Sequence, residues 1–251
     1  MLSPVVFLAL PHRNDFSSGT LMGMLNTGHG HRLLIRERQN SLLPLCFNSL
    51  WCDALNNRHS HGLTHFSMMH CDIGPEPGWL DTLLAEQQRV GADILSVVAP
   101  IKDERGLTST SIRCPRTDRL RRLTMQEVCK LPPTFDAEMA GFPGQMLLAN
   151  TGLWVCDFTK PWVERMVFRQ QDGIVKNQDG IFRTICLSED WLFSLDAHAM
   201  GLKVFATTKV KLRHKGEFQF PNFAPWGNWA TDEQPAQPDF CQAIRQHGGP
   251  L

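Results

Sequence analysis

Residues 5–10 read Val-Val-Phe-Leu-Ala-Leu with no polar interruption. A strand that is apolar at both odd and even positions has both faces covered, as in parallel sheets with helices above and below. The run breaks into Pro11-His12-Arg13-Asn14-Asp15-Phe16-Ser17-Ser18-Gly19, a loop of turn formers. A helix is expected after it, through Leu21, Met24 and Leu25. A second strand, 31–36, holds Leu33-Leu34-Ile35. Residues 41–58 then place Leu42, Leu45, Cys46, Leu50, Trp51 and Leu55 on one helical stripe, with Pro44 in the first turn. A third apolar strand ends at His70-Cys71-Asp72, a helix over 79–90 carries Leu80, Leu83 and Leu84, and a fourth strand covers 94–99. This alternation predicts an α/β domain built on a largely parallel sheet with right-handed crossovers.

The rhythm stops after residue 100. Residues 102–133 read as polar and irregular, and 102–130 hold eight basic residues, Arg113, Arg116, Arg119, Arg121, Arg122 and Lys130 among them, against four acidic ones. Two readings stand here: a solvated insertion, or a surface for an anionic acceptor such as nucleic acid. Residues 145–157 are expected to form a strand, a tight turn at Asn150-Thr151-Gly152, and a second strand. A helix is expected around 161–168. Ser188 reads as the cap of a helix that opens Glu189-Asp190-Trp191 and stops at Gly201. A strand over 203–207 precedes the run 210–216, which contains His214-Lys215-Gly216. From Pro221 the chain has no periodicity and reads as a wrapping tail or lid, or a partly disordered segment.

Composition narrows the class of partner. Lys+Arg and Asp+Glu are both 25, so no global field draws the chain to nucleic acid or to an acidic membrane. The eight cysteines are scattered with no C-x-x-C pair, which argues for free thiols in a reducing compartment rather than a zinc site or disulfide framework. The amino-terminal run lacks the basic flank and cleavage site of a signal peptide, and no run is long enough to cross a bilayer. A soluble, cytoplasmic protein is expected. At 251 residues and 42% hydrophobic content, the chain is long enough for one large α/β domain or two small ones.

Chemistry concentrates at strand and helix ends. His70 and Asp72 follow a buried strand, where open α/β sheets hold their ligands. Glu189 and Asp190 lie in a first helical turn, which favours ionised carboxylates. That position explains them as ordinary helix-start residues, and it also suits a base that takes a proton from an incoming hydroxyl. Trp191 offers a flat face for a sugar or a base. Arg13, beside a helix start, is either a phosphate or base-edge contact or a solvated loop residue.

The order of these pieces adds a further reading. His70-Cys71-Asp72-Ile73-Gly74-Pro75-Glu76-Pro77-Gly78-Trp79-Leu80, then Asn150-Thr151-Gly152, Ser188-Glu189-Asp190-Trp191, Gly201-Leu202-Lys203-Val204 and Arg213-His214-Lys215-Gly216 appear in series. The series resembles the GT-A-fold glycosyltransferases, in particular the family-2-like group. There a D-x-D-like strand end, a glycine-containing strand, an E-D helix, G-x-K-V and a final histidine follow one another.

The resemblance implies one GT-A-like, Rossmann-like domain over 1–220, with a mostly parallel central sheet flanked by helices. Residues 1–100 would form its nucleotide-sugar half. Residues 101–220 would form an acceptor half with a small antiparallel element, and 221–251 an irregular tail or lid. It implies Mn²⁺ or Mg²⁺ held by Asp72, His214 and His70, and a nucleotide-sugar donor, a UDP-sugar, contacted by Pro11, Arg13, Glu37, Asp72 and Lys215. Thr151 and Gly152 would line the donor sugar. Asp190 would be the base and Glu189 its orienting neighbour or a sugar contact.

The family has aspartate where this chain has His70, which leaves His70 as either a metal ligand or a ribose contact. The activity implied is inverting, metal-dependent transfer to a hydroxyl of a glycan, a protein or a hydroxylated DNA base. Two other readings stay open: a non-catalytic module that binds nucleotide, glycan or nucleic acid, and a nucleotidyltransferase.

Overall fold

The computed structural model describes residues 3–13, 15–114, 119–176, 180–232 and 234–235. In its first hundred residues, β1 (Val5–His12), α1 (Ser18–Leu25), β2 (Arg32–Gln39), α2 (Leu43–Asn57), β3 (His65–Met69), β4 (Ile73–Pro75), α3 (Trp79–Val90) and β5 (Ile94–Val97) follow one another. The middle holds β6 (Leu107–Cys114), β7 (Arg119–Thr124), the single turn α4 (Met125–Val128), β8 (Thr134–Phe135), β9 (Met146–Leu148) and β10 (Leu153–Asp157). A 3-10 turn at Pro161–Arg165 leads to β11 (Gln171–Lys176), β12 (Phe182–Leu187) and α5 (Glu189–Ala199). Then come β13 (Val204–Thr207), β14 (Leu212–Lys215), β15 (Gln219–Pro221), β16 (Trp229–Thr231) and β17 (Gln234–Pro235).

Seven strands form the central sheet in the order β2-β1-β3-β10-β5-β13-β8. Five of them run one way, while β10 and β8 run the other, so the sheet is mixed but mostly parallel. The apolar runs explain why its middle strands are buried on both sides, while the edge strand β2 is mostly exposed. Phe7 and Ala9 of β1 face a cluster built with Phe47, Leu50 and Trp51 of α2 and Phe193 of α5. Val6, Leu8 and Leu10 face Trp79, Leu80 and Leu83 of α3. Trp51 packs among Phe66, Trp154 and Phe158, with its indole nitrogen donating to the Val163 carbonyl at 2.9 Å. Full burial of large apolar side chains of this kind contributes about 1.5–3 kcal/mol each.

The structure corrects or refines several expectations. Residues 102–133 are not irregular: β6 pairs with β7 on one side and β9 on the other, over a core that includes Ile112, Leu123 and Val128. The strands expected on either side of Asn150-Thr151-Gly152 are present as β9 and β10, and they enter different sheets: β9 joins β6 while β10 joins the central sheet between β3 and β5. The stretch 161–168 forms only the 3-10 turn. Ser188 stands at the start of α5 but caps no backbone N–H, its hydroxyl being turned to Asp190. The tail after Pro221 packs inward through the buried Asn222 and Trp226. Asn14, Arg116, Cys241 and residues 236–251 lie outside the described residues.

Candidate functional site

The chain leaves β1 for β2 on one side, and α2 then carries it back to β3 on the other side of β1. A crevice between the carboxyl ends of such strands is where open α/β sheets receive ligands. Pro11, inside β1, lies past the last residue that pairs with β3, so its missing N–H interrupts no ladder there. Beside it the His12 ring lies 2.5 Å from Glu37 at the end of β2. Arg13 is exposed, and its carbonyl accepts from the Gln39 side chain at 3.3 Å.

The loop after β3 is anchored from several directions. The His70 N–H donates to the Gly152 carbonyl at 2.9 Å, and the Ser17 N–H to the Cys71 carbonyl at 2.7 Å. The Thr20 hydroxyl lies 2.8 Å from both the Cys71 and the Ile73 carbonyl oxygens. Gly19 and Gly74 let α1 meet β4 at bare-backbone distance, since a Cβ on either would stand 3.0–3.1 Å from the other's Cα.

The short strand β4 then pairs antiparallel with β14, placing His214 opposite Ile73, and the Lys215 N–H donates to the Asp72 carbonyl at 2.8 Å. This pairing carries His214 to Asp72, with His214 Nε2 standing 3.4 Å from Asp72 Oδ2. His214 Nδ1 lies 2.7 Å from the Pro100 carbonyl, which only accepts, so Nδ1 carries the hydrogen. In the neutral ring, Nε2 would turn a lone pair toward the carboxylate. Positive charge on or beside the ring makes the contact favourable.

That charge is supplied by Lys102, a residue the sequence reading did not place in the site. Its ammonium lies 2.5 Å from Asp72 Oδ2. Burial pushes the Asp72 carboxyl up, but the neighbouring His214 and Lys102 outweigh it and hold the group well below the usual carboxylate range. Asp72 and His214 offer two ligands at a spacing one ion could span. However, among the described residues no three His, Cys, Asp or Glu side chains converge to hold a metal. The carboxylate oxygen that faces His214 already carries an ammonium. Unit charges about 4 Å apart interact by about 4 kcal/mol even at an effective dielectric of about 20, and a dication would double that repulsion. The oxygen that faces His214 is thus occupied by a lysine cation, which a Mn²⁺ or Mg²⁺ ion at that oxygen would have to displace.

His70 does not complete a ligand set. Its ring packs on Phe47, with centroids 5.2 Å apart, and burial pushes its imidazole down to about 4, which keeps it neutral near pH 7. His70 Nε2 and Asp72 Oδ1 are both shielded from solvent with no hydrogen-bond partner. Two bare polar atoms at one strand end are a place for a ligand's donors. Thr151 is buried, and the Gly152 N–H is held by Asn150 Oδ1 at 3.0 Å.

The start of α5 is one loop away. Ser194 donates to the Asp190 carbonyl at 2.9 Å, and the Ala149 N–H donates to Ser194 at 2.9 Å, directly before the Asn150–Gly152 turn. Asp190 Oδ1 accepts from the Ser188 hydroxyl and from the Trp191 N–H. Burial pushes Asp190 up, and burial together with the Asp190 charge pushes Glu189 to about 7. Arg122 of β7 lies over the Trp191 ring at 4.6 Å, so one face of that indole is taken. Burial pulls the Arg122 guanidinium down, against the charges of Asp190 and Asp232. The basic segment is therefore not wholly solvated: Lys102 and Arg122 enter the site from it.

Among the described residues no helix is long and apolar enough to cross a membrane. No protein-family model matches the sequence, and no curated protein matches it significantly. Solved structures do match. UDP-glucose pyrophosphorylase aligns in its apo form and in complex with UDP-glucose, each over 83% of this chain and over 75% and 74% of the respective chain, at 11% identity and TM-scores of 0.36 and 0.35. A197 from STIV aligns over 87% of this chain and 90% of its own, with 11% identity and a TM-score of 0.52. The chain shares its mixed α/β fold with A197 from STIV, and at that identity the likeness is one of fold alone.

Proposed function

We propose that the chain transfers a sugar from a nucleoside-diphosphate donor, a UDP-sugar, to an acceptor hydroxyl with inversion. The observation that carries this reading is the placement of Asp72 and His214, 3.4 Å apart at the carboxyl edge of the sheet, one hydrogen-bonded loop from Glu189 and Asp190. In this reading Pro11, Arg13 and Glu37 contact the nucleoside, and Thr151 and Gly152 line the sugar. The diphosphate lies against the Asp72, His214 and Lys215 corner.

The acceptor oxygen attacks the anomeric carbon, and the bond from that carbon to the diphosphate oxygen breaks with its electron pair leaving on the nucleoside diphosphate. The hydroxyl proton passes to Asp190, whose Oδ1 is anchored so that Oδ2 is presented. Glu189, pushed up to about 7, sets the pH at which the carboxylate pair carries enough charge to accept it.

The test is a screen of nucleotide sugars with glycan acceptors, resolving the products by chromatography. Release of nucleoside diphosphate from a donor, lost in Asp190→Asn, supports the reading. Pyrophosphate as the product moves the chain to nucleotidyl transfer, and no turnover of any donor sinks catalysis in favour of a binding module.

A further inference from the structure

Resting on the nucleoside-diphosphate reading, we infer that Lys102 is the cation that meets the diphosphate in this site, without a bound metal ion. Two loops and a strand build the position. Asp72 follows β3, Lys102 follows β5, and His214 arrives on β14. Lys102 Nζ lies 2.5 Å from Asp72 Oδ2, and His214 flanks the same oxygen at 3.4 Å. An ammonium has three hydrogens; one directed to Asp72 leaves two for phosphate oxygens. The Lys102 side chain is 36% exposed, so those hydrogens can be reached.

The path of the side chain is itself shaped. Its stem crosses Gly216, where a Cβ would stand 3.0, 3.1 and 3.2 Å from Lys102 Cδ, Cβ and Cγ. A Cβ at 216 would require the stem to give by a few tenths of an ångström, and a branched side chain would require more. The carboxylate thus aims the ammonium, and the bare backbone at Gly216 lets it arrive. When the sugar–oxygen bond breaks, charge develops on the leaving diphosphate, and a fixed cation beside it stabilises that charge. Lys102 supplies one positive charge at the strand end.

The test uses the full chain and calorimetric titration with UDP, GDP, ADP and CDP, each in EDTA and again with Mn²⁺. The expected result is a nucleoside diphosphate whose Kd agrees within twofold between the two conditions. Lys102→Met then weakens it at least tenfold, Lys102→Arg restores most of the affinity, and binding of the matching nucleoside is unchanged. Gly216→Val gives the same selective loss with Lys102 still present. Binding that requires Mn²⁺, or a Lys102→Met variant within twofold of the parent, overturns the inference while leaving the transfer reading in place. If none of the four diphosphates binds in either condition, the transfer reading fails and the inference with it.

Discussion

Asn222 is the side chain that most directly ties His214's strand to the central sheet. It is fully buried; its amide donates to the Val98 and Val210 carbonyls at 3.0 Å each, and its oxygen accepts from the Leu212 N–H at 2.9 Å. Asn222→Ala removes all three bonds and leaves one donor and two acceptors in a place water does not reach. A buried polar group left bare costs about 1–3 kcal/mol; toward the low end of that range the three together come to about 3–5 kcal/mol, already large for a single substitution. For a domain of this size, 1 kcal/mol shifts the melting midpoint by about 2–4 °C, which puts the expected drop at roughly 6–20 °C. Asn222→Asp should be no better, since it keeps the acceptor but turns an oxygen toward two carbonyls. Urea unfolding followed by circular dichroism measures the loss. A change below about 1 kcal/mol with an unaltered m-value would show that β14 is held by something other than this amide.

Three further outcomes are expected. Asp72→Ala should reduce donor turnover about 100-fold, because it unmoors the Lys102 ammonium that stabilises the leaving diphosphate, and should also lower stability near pH 7 through loss of its pairing with Lys102 and His214; near-parental release of nucleoside diphosphate contradicts the site. Turnover should rise with pH through about 7, because the base must be ionised and Glu189 sits there. Glu189→Gln should remove that inflection, and a parent profile flat from pH 6 to 8 refutes the assignment. The same group gives a stability sign: its folded value lies above the unfolded one, so stability falls as pH rises from about 4.5 to 7, and Gln at 189 should flatten that slope. Glu86 works oppositely. Hydrogen bonds from Arg89 and then Lys209 depress it to about 2, so its contribution is full above about 4.5 and is lost as pH falls toward 2. Urea melts of Glu86→Gln from pH 2.5 to 6 should show a shallower acid limb than the parent.

Most of the first hundred residues were legible because their information is local, the exception being β4, whose Ile73–Pro75 reads as a turn until it pairs with β14. The helix expected over 79–90 is α3, Trp79–Val90, since one periodic stripe between Gly78 and Gly91 settles both ends. Past residue 100 the reading lost β6 for a physical reason. Its run Leu-Thr-Ser-Thr-Ser hides Thr108, Thr110 and Ser111 in the interior, so a buried strand carries the hydropathy of a loop. Lys102 was passed over for a related reason: a charged residue after an apolar strand looks like solvent-facing punctuation until its partner is known.

Sequence alone determined the covered parallel strands at the start of the chain, the strand-end position of Asp72, and the helix-start position of Glu189 and Asp190. Each follows from spacing within a dozen residues and the preferences of the peptide backbone. Only the tertiary structure decided what those groups face. The pairing of β4 with β14 brings His214 to Asp72, β7 brings Arg122 to Trp191, and Gly216 opens the path by which Lys102 reaches the carboxylate. Such contacts join residues far apart in the chain, and no local pattern encodes them. They arise when separate elements bury their apolar faces against a common sheet, and the charge that answers Asp72 is fixed only then.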